Sequence, residues 1–256
     1  MKKILALLFV CLIALIVHQA HSSDEANPPK KMQWSFSGVT GKFDRQSIQR
    51  GFKVYKEVCS ACHSVKRIAF RNLSEIGFNE DEIKSLASEY TVKDGPNDEG
   101  EMFDRPATPS DYIPGPYANE KAARASNNGA YPPDLSLITK ARPDGENYVY
   151  SLLTGYTTPP SGFNLGENMY YNPYFIAGGD QLAMPPPLTT EGQVEYDDGT
   201  KSTIDAMAKD VTNFLQWTAE PEMEESKSLG IKVLIFLSIF TVLFYIAMKR
   251  IWKKVK

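Results

Sequence analysis

Residues 58–65 read VCSACHSV, and Cys59, Cys62 and His63 within them form C-x-x-C-H. The chain has three cysteines and three histidines, and the others, Cys11, His18 and His21, fall in its first 22 residues. Those residues have the form of an export signal. Lys2 and Lys3 are followed by 14 apolar residues from Ile4 to Val17, then by Ala20-His21-Ser22 with small residues at cleavage offsets. The apolar run is short against the ~20 residues of a helical membrane span, so removal of residues 1–22 is expected. The mature chain must then be organised around two thiols and one imidazole.

Three uses compete for this pattern. A structural zinc site needs four nitrogen or sulfur ligands, and the mature chain has three. A thioredoxin-like dithiol sits in a βαβ unit, which residues 44–62 do not resemble. Asp44 can cap a helix, and Ile48, Phe52, Tyr55, Cys59 and Cys62 recur at helical spacing on one face. That pattern predicts a helix over 44–62 with both cysteines at its end. Two thiols three residues apart can reach the two vinyl groups of a haem, and the next residue, His63, can supply an imidazole to the iron. C-x-x-C-H therefore reads as the attachment site of one covalent haem c.

Iron held by His63 has a second axial position, and the mature chain has no second histidine for it. A methionine thioether is the common alternative, and it raises the reduction potential. The candidates are Met32, Met102, Met169, Met184, Met207 and Met223. Met184 stands in Ala183-Met184-Pro185-Pro186-Pro187. Proline fixes its own φ and extends the residue before it, so this stretch is a stiff loop suited to presenting one side chain. Met207 shares a helical face with Ile204, Ala208, Val211, Phe214 and Leu215, which reads as packing. Met184 is the expected ligand, with Met169 as the alternative.

The chain is expected to be mainly α, with long irregular loops. Residues 23–43 read as an extended start. Glu80 to Tyr90 reads as a second helix behind Asn79, with Ile83, Leu86 and Ala87 inward. Residues 91–118, rich in Asp, Glu, Gly and Pro, read as loop. Asn147 to Leu153 can be a short helix. Residues 156–190 carry Tyr156, Phe163, Tyr170, Tyr171, Tyr174 and Phe175, either as loop packing or as the wall of the haem edge. Ser202 and Asp205 fit a capping box for a helix ending at Trp217.

A second apolar run begins at Leu229, and Val233 to Met248 carries no charge. With Lys232 snorkelling outward, 229–248 spans ~30 Å, enough for one transmembrane helix. Lys249, Arg250, Lys253, Lys254 and Lys256 come directly after it. The basic end places residues 249–256 in the cytoplasm and residues 23–228 outside, the orientation that a cleaved signal also gives. All 31 acidic residues precede Leu229. Setting aside Lys2, Lys3 and the six basic residues from Lys232 onward leaves 20 basic residues in the exported part, a net charge of −11. Such a surface steers a basic partner and repels nucleic acid.

Longer strings sharpen this reading. They are Arg50-Gly51-Phe52-Lys53-Val54-Tyr55 before the cysteines, and Asp94-Gly95-Pro96-Asn97 with Gly100-Glu101-Met102-Phe103. Further on stand Ala122-Ala123-Arg124-Ala125, Asn127-Asn128-Gly129-Ala130 and Pro132-Pro133-Asp134-Leu135. Ser151 to Tyr156, Tyr171 to Phe175 and Met184-Pro185-Pro186 complete the set. From about Trp34 to the C-terminus the chain resembles the cytochrome c1 family, the haem subunit of cytochrome bc1 complexes. The resemblance implies thioethers at Cys59 and Cys62, and His63 with Met184 as the axial pair. It also implies Arg124 beside a haem propionate, and Asn127 and Pro133 in the haem pocket. It implies cytochrome b and a Rieske iron–sulfur protein as partners, a c-type cytochrome as acceptor, and a dimeric complex. Mitochondrial members carry longer leaders, so the short signal favours a bacterial inner membrane with the haem domain in the periplasm. Some bacterial members carry an inserted stretch with a disulfide, for which this mature chain has no spare cysteine.

Other readings make distinct demands. A free-standing tethered cytochrome c, or the c-type subunit of a terminal oxidase, would purify without cytochrome b and Rieske subunits. A haem enzyme or gas sensor needs an open sixth position. A thiol oxidoreductase needs free, reactive thiols.

Overall fold

The computed structural model describes residues 27–253. The expected signal, residues 1–22, lies outside the described residues, as does the end of the basic tail. The described residues form six α-helices, three short 3-10 helices and two small hairpins. We number the helices α1 Arg45–Glu57, α2 Glu80–Ser88, α3 Glu120–Ser126, α4 Gly145–Leu153, α5 Ile204–Ala219 and α6 Met223–Lys253. Strands β1 Thr91–Asp94 and β2 Phe103–Pro106 pair antiparallel, as do β3 Tyr170–Tyr171 and β4 Gln181–Leu182.

The core is the packing of α1 against α5. Asp44 caps α1 by accepting from the amides of Gln46 and Ser47, which satisfies two of the donors that a helix start leaves unpaired. Phe214 of α5 sits 5.5 Å from both Phe52 and Tyr55 of α1, ring centre to ring centre. The two backbones approach closely at Gly51, where a Cβ would lie 2.0 Å from the carbonyl oxygen of Asp210. Gly51→Ala is therefore expected to force the helices apart. Overpacking of this kind costs ~1–3 kcal/mol, and a rigid backbone atom as the obstacle puts this case at the upper end. Circular dichroism melting would show it, and an unchanged melting temperature would mean that α1 and α5 can separate freely.

Several boundaries differ from the sequence reading. Helix α1 ends at Glu57, and the cysteines occupy a separate 3-10 turn, Cys59–Ala61. Val58 is the C-cap, its φ stretched to −116° while its amide still donates to the Val54 carbonyl, and β-branched and cysteine residues are weak helix formers. Cys59 remains against the core while Cys62 is exposed, so the shared apolar face stops before Cys62. Within 91–118, expected as loop, the β1–β2 hairpin forms. Arg105 fastens it by pairing with Asp94 and with Asp111. For α5 the cap is Thr203, which accepts from the Ala206 amide, in place of Ser202. Helix α2 forms behind Asn79 with Ile83, Leu86 and Ala87 buried, as the pattern indicates. Helix α4 starts two residues before Asn147.

Helix α5 stops at Ala219, just before Pro221, and α6 begins at Met223 rather than at Leu229. Glu224 and Glu225 lie in its first turn, where negative charge suits the helix dipole. Its 31 residues reach ~46 Å. It is long and apolar enough to cross a membrane, and the rest of the protein buries none of its apolar stretch. Its start is tied down. Glu224 Oε1 accepts from the Phe43 amide at 2.7 Å and from Arg45 at 3.1 Å, and the Lys227 ammonium donates to the Phe36 and Gly41 carbonyls. Residues 27–43 thus run as a strap from α6 to α4, where Asn147 Oδ1 accepts from Met32 N and Trp34 Nε1.

Candidate functional site

The turn after α1 fixes all three groups of the C-x-x-C-H motif together. The amides of Cys62 and His63 both donate to the Cys59 carbonyl, at 3.1 and 2.8 Å. The two thiols are not joined to each other. Burial pushes the Cys59 thiol up to about 12, the opposite of what a redox nucleophile requires. Among the described residues no three His, Cys, Asp or Glu side chains converge as a metal-ligand group.

His63 is held from behind. Its Nδ1 lies 2.8 Å from the Pro133 carbonyl oxygen. A carbonyl only accepts, so Nδ1 carries the proton and Nε2 keeps its lone pair. Burial lowers the pKa of the ring, against the opposing pull of the Pro133 carbonyl and Asp134. The imidazole is thereby kept neutral and is oriented for coordination through Nε2.

The Pro133 segment is itself zipped to the motif. Asp134 accepts from Ser64 Oγ at 2.8 Å and from the Lys66 amide at 2.9 Å. The Leu135 amide donates to the Ser64 carbonyl at 2.8 Å, and the Arg67 amide to Ser136 Oγ at 3.2 Å. The Tyr55 hydroxyl donates to the His63 carbonyl at 3.1 Å. Nothing in the pattern around Ser64 and Tyr55 marks them as site residues. For Asp134 there is one signal: an Asp after two prolines is a turn former.

The other predicted residues fall into three groups. Asn127 caps the end of α3 and reaches the motif through a relay. Its Nδ2 donates to the Tyr117 hydroxyl at 2.9 Å, and that hydroxyl donates to the Ala61 carbonyl at 3.5 Å. Arg124 is half-exposed and turned to local partners: Glu120 at 2.7 Å, the Gly129 carbonyl at 2.9 Å and the ring of Tyr131. It makes no contact of this kind with the C-x-x-C-H turn. Met184 lies half-buried in its proline loop, where its carbonyl accepts from the Tyr156 hydroxyl at 3.0 Å.

Burial narrows the alternatives to Met184. Met207 is fully buried in the α1–α5 core, Met223, the first residue of α6, is buried against the core, and Met32 packs on the core. Met102 projects from the β1–β2 hairpin, 59% exposed. Met169 is half-buried beside Gly166.

The model of the Cytochrome C1 family matches residues 34–255. This chain belongs to the cytochrome c1 family. Cytochrome c1 of Rhodospirillum rubrum is 49% identical over 244 residues, covering 88% of each chain. The mitochondrial heme protein cytochrome c1 of Schizosaccharomyces pombe is 48% identical over 245 residues, 93% of this chain and 79% of that one. Cytochrome b/c1 of Bradyrhizobium diazoefficiens is 47% identical over 258 residues, 92% of this chain but 37% of that longer protein. The family match begins at Trp34, where the sequence resemblance also begins, and runs through α6.

Proposed function

We propose that this cytochrome c1 family member is the haem subunit of a cytochrome bc1 complex. It carries one haem c attached through Cys59 and Cys62, with His63 and Met184 as the axial ligands. The observation that carries this reading is the fixed turn behind α1: two unjoined thiols, and an imidazole whose free nitrogen is set by the Pro133 carbonyl. These are the donors such a group requires, in the number it requires. When bound, the haem supplies a one-electron couple.

The chain does the rest. Pro133 and Asp134 hold the imidazole tautomer and its angle, Asn127 steadies the cysteine turn through Tyr117, and Arg124 offers a cation near a propionate. Reorientation of Arg124 away from Glu120 accompanies that role. Electrons enter from a Rieske iron–sulfur protein and leave to a soluble or tethered c-type cytochrome. The excess of acid in residues 23–228 favours a basic acceptor. Glu75, Asp98, Glu99, Glu101 and Glu195 are exposed and make no ion pair among the described residues, which leaves them available for docking. Helix α6 anchors the subunit in a bacterial inner membrane beside cytochrome b, with the haem domain in the periplasm and the basic end in the cytoplasm. Residues 1–22 act as the cleaved signal, and the whole complex is dimeric.

The test is purification from detergent-extracted membranes through a tag on the C-terminal tail. Cytochrome b and an iron–sulfur protein are expected in the same fraction, and the c-type absorbance is expected to survive acid-acetone extraction. A c-type protein that purifies alone would shift the reading to a free-standing tethered cytochrome.

A further inference from the structure

The loop that presents Met184 cannot hold itself in place. Pro185, Pro186 and Pro187 have no amide hydrogens, so these three residues can be fixed only through their carbonyls or their packing. Among the described residues, the stretch 183–186 receives one hydrogen bond from elsewhere in the chain. It is the bond from the Tyr156 hydroxyl to the Met184 carbonyl, at 3.0 Å. The next tie is at Pro187, whose carbonyl accepts from Gln193 Nε2 at 2.8 Å.

Tyr156 is itself braced. Gly155 before it packs under the ring of Tyr174, where a Cβ would come within 2.3 Å of the ring. Thr154 accepts from the Lys30 ammonium through its carbonyl at 3.1 Å and its Oγ1 at 2.8 Å. That ammonium also lies over the rings of Tyr150 and Tyr174. The phenol therefore projects from a turn locked on three sides.

We infer that Tyr156 is the positioning residue for Met184: its hydroxyl, acting on the Met184 carbonyl, keeps the methionine sulfur where an axial ligand must stand. The inference rests on Met184 being that ligand. The carbonyl carbon is bonded to the Cα that carries the side chain. Fixing the carbonyl fixes the direction in which the side chain leaves the loop. Without the hydroxyl, the loop keeps its stiffness but loses its anchor, and the sulfur leaves the iron more often. Lys30 acts one step behind, by holding the turn that carries the phenol.

The test is titration of the oxidised holoprotein with imidazole, an added ligand that competes with the methionine. An apparent affinity scales with the fraction of protein in which the position is open. Tyr156→Phe keeps the ring and its packing, and it is expected to tighten imidazole binding about tenfold and to lower the midpoint potential. Lys30→Met is expected to act in the same direction by a smaller factor, without touching the loop. Met184→Leu, run beside them, is expected to bind imidazole far more tightly than either. Unchanged imidazole affinity in both Tyr156→Phe and Lys30→Met, with the large effect still present in Met184→Leu, would overturn the positioning role alone. Unchanged affinity in Met184→Leu as well would overturn the ligand assignment on which the role stands.

Discussion

Met184→Leu is expected to leave the haem attached, lower its potential and open the iron to carbon monoxide. In the proposed arrangement attachment depends on Cys59 and Cys62, which lie on the turn after α1 and share no element with the Met184 loop. Leucine fills nearly the same volume as methionine, so the half-buried loop can stay packed. What is lost is the thioether lone pair. Met/His ligation raises a haem potential. Its removal should lower the potential by on the order of 0.2 V, within the ~0.8 V that axial ligands span. Redox-difference spectra of washed membranes, with and without carbon monoxide, give the answer directly. A variant with the wild-type potential and no carbon monoxide binding would move the assignment to Met169, the remaining half-buried candidate in the same irregular region. Carbon monoxide binding already in the wild type would mean an iron open by design, and would favour a haem enzyme or sensor over an electron carrier.

The parts of this site that are legible in the sequence are those whose partners lie close in the chain. Asp44 and the face of Ile48, Phe52 and Tyr55 announce α1 because a cap and a 3.6-residue period are local facts. The C-x-x-C-H turn is five consecutive residues. Helical spacing extends α1 too far because the cysteines continue it, and a 3-10 turn preserves the i, i+3 relation while leaving the helix. The β1–β2 hairpin is hidden for another reason. TVKD and FDRP show little apolar alternation, being only partly buried on either face. Their pairing is secured by Arg105, whose partners Asp94 and Asp111 flank it in sequence but carry no pattern that marks them.

The illegible part is long-range. His63 meets Pro133 across 70 residues, and Tyr156 meets Met184 across 28. The proline loop around Met184 is recognisably stiff from its composition. The group that aims it is not recognisable, because Tyr156 is one of several aromatic residues in a stretch with no period. The resemblance to the cytochrome c1 family points to Arg124 as a residue near the haem. In the structure its guanidinium is engaged with Glu120, an i, i+4 partner on the same short helix, a competition that residue identity alone does not reveal.

Asp210→Ala is expected to be among the most destabilising single changes in the molecule. Asp210 sits on α5, 4% exposed. It accepts from Ser47 Oγ at 2.6 Å and from the Nε and Nη2 of Arg50 at 2.8 and 3.2 Å, all on α1. Ser47 in turn accepts from Asn213 Nδ2 at 2.6 Å. The hydrogen bond to Asp210 is the largest cause raising the Arg50 pKa above its ordinary value, against a lowering by burial. Truncation would leave Arg50 with Asp198 as its one remaining ion-pair partner, at a more exposed site. It would also leave the Ser47 hydroxyl without its acceptor. Breaking a buried ion pair from one side costs ~3–5 kcal/mol, and the partial exposure of Arg50 puts this case near the lower end of that range. That is a large share of the ~5–15 kcal/mol that holds a typical domain folded. Asp210→Asn keeps the shape and one acceptor, and should lose about half as much. The urea midpoint of the detergent-solubilised protein should fall in that order with an unchanged slope. A loss below ~1 kcal/mol for Asp210→Ala would mean that Asp198 and the aromatic packing suffice to hold α1 on α5. The haem reports the same event from the other end. Helix α1 runs directly into the Cys59–His63 turn, so loosening it on α5 should broaden the c-type absorbance well before the chain unfolds.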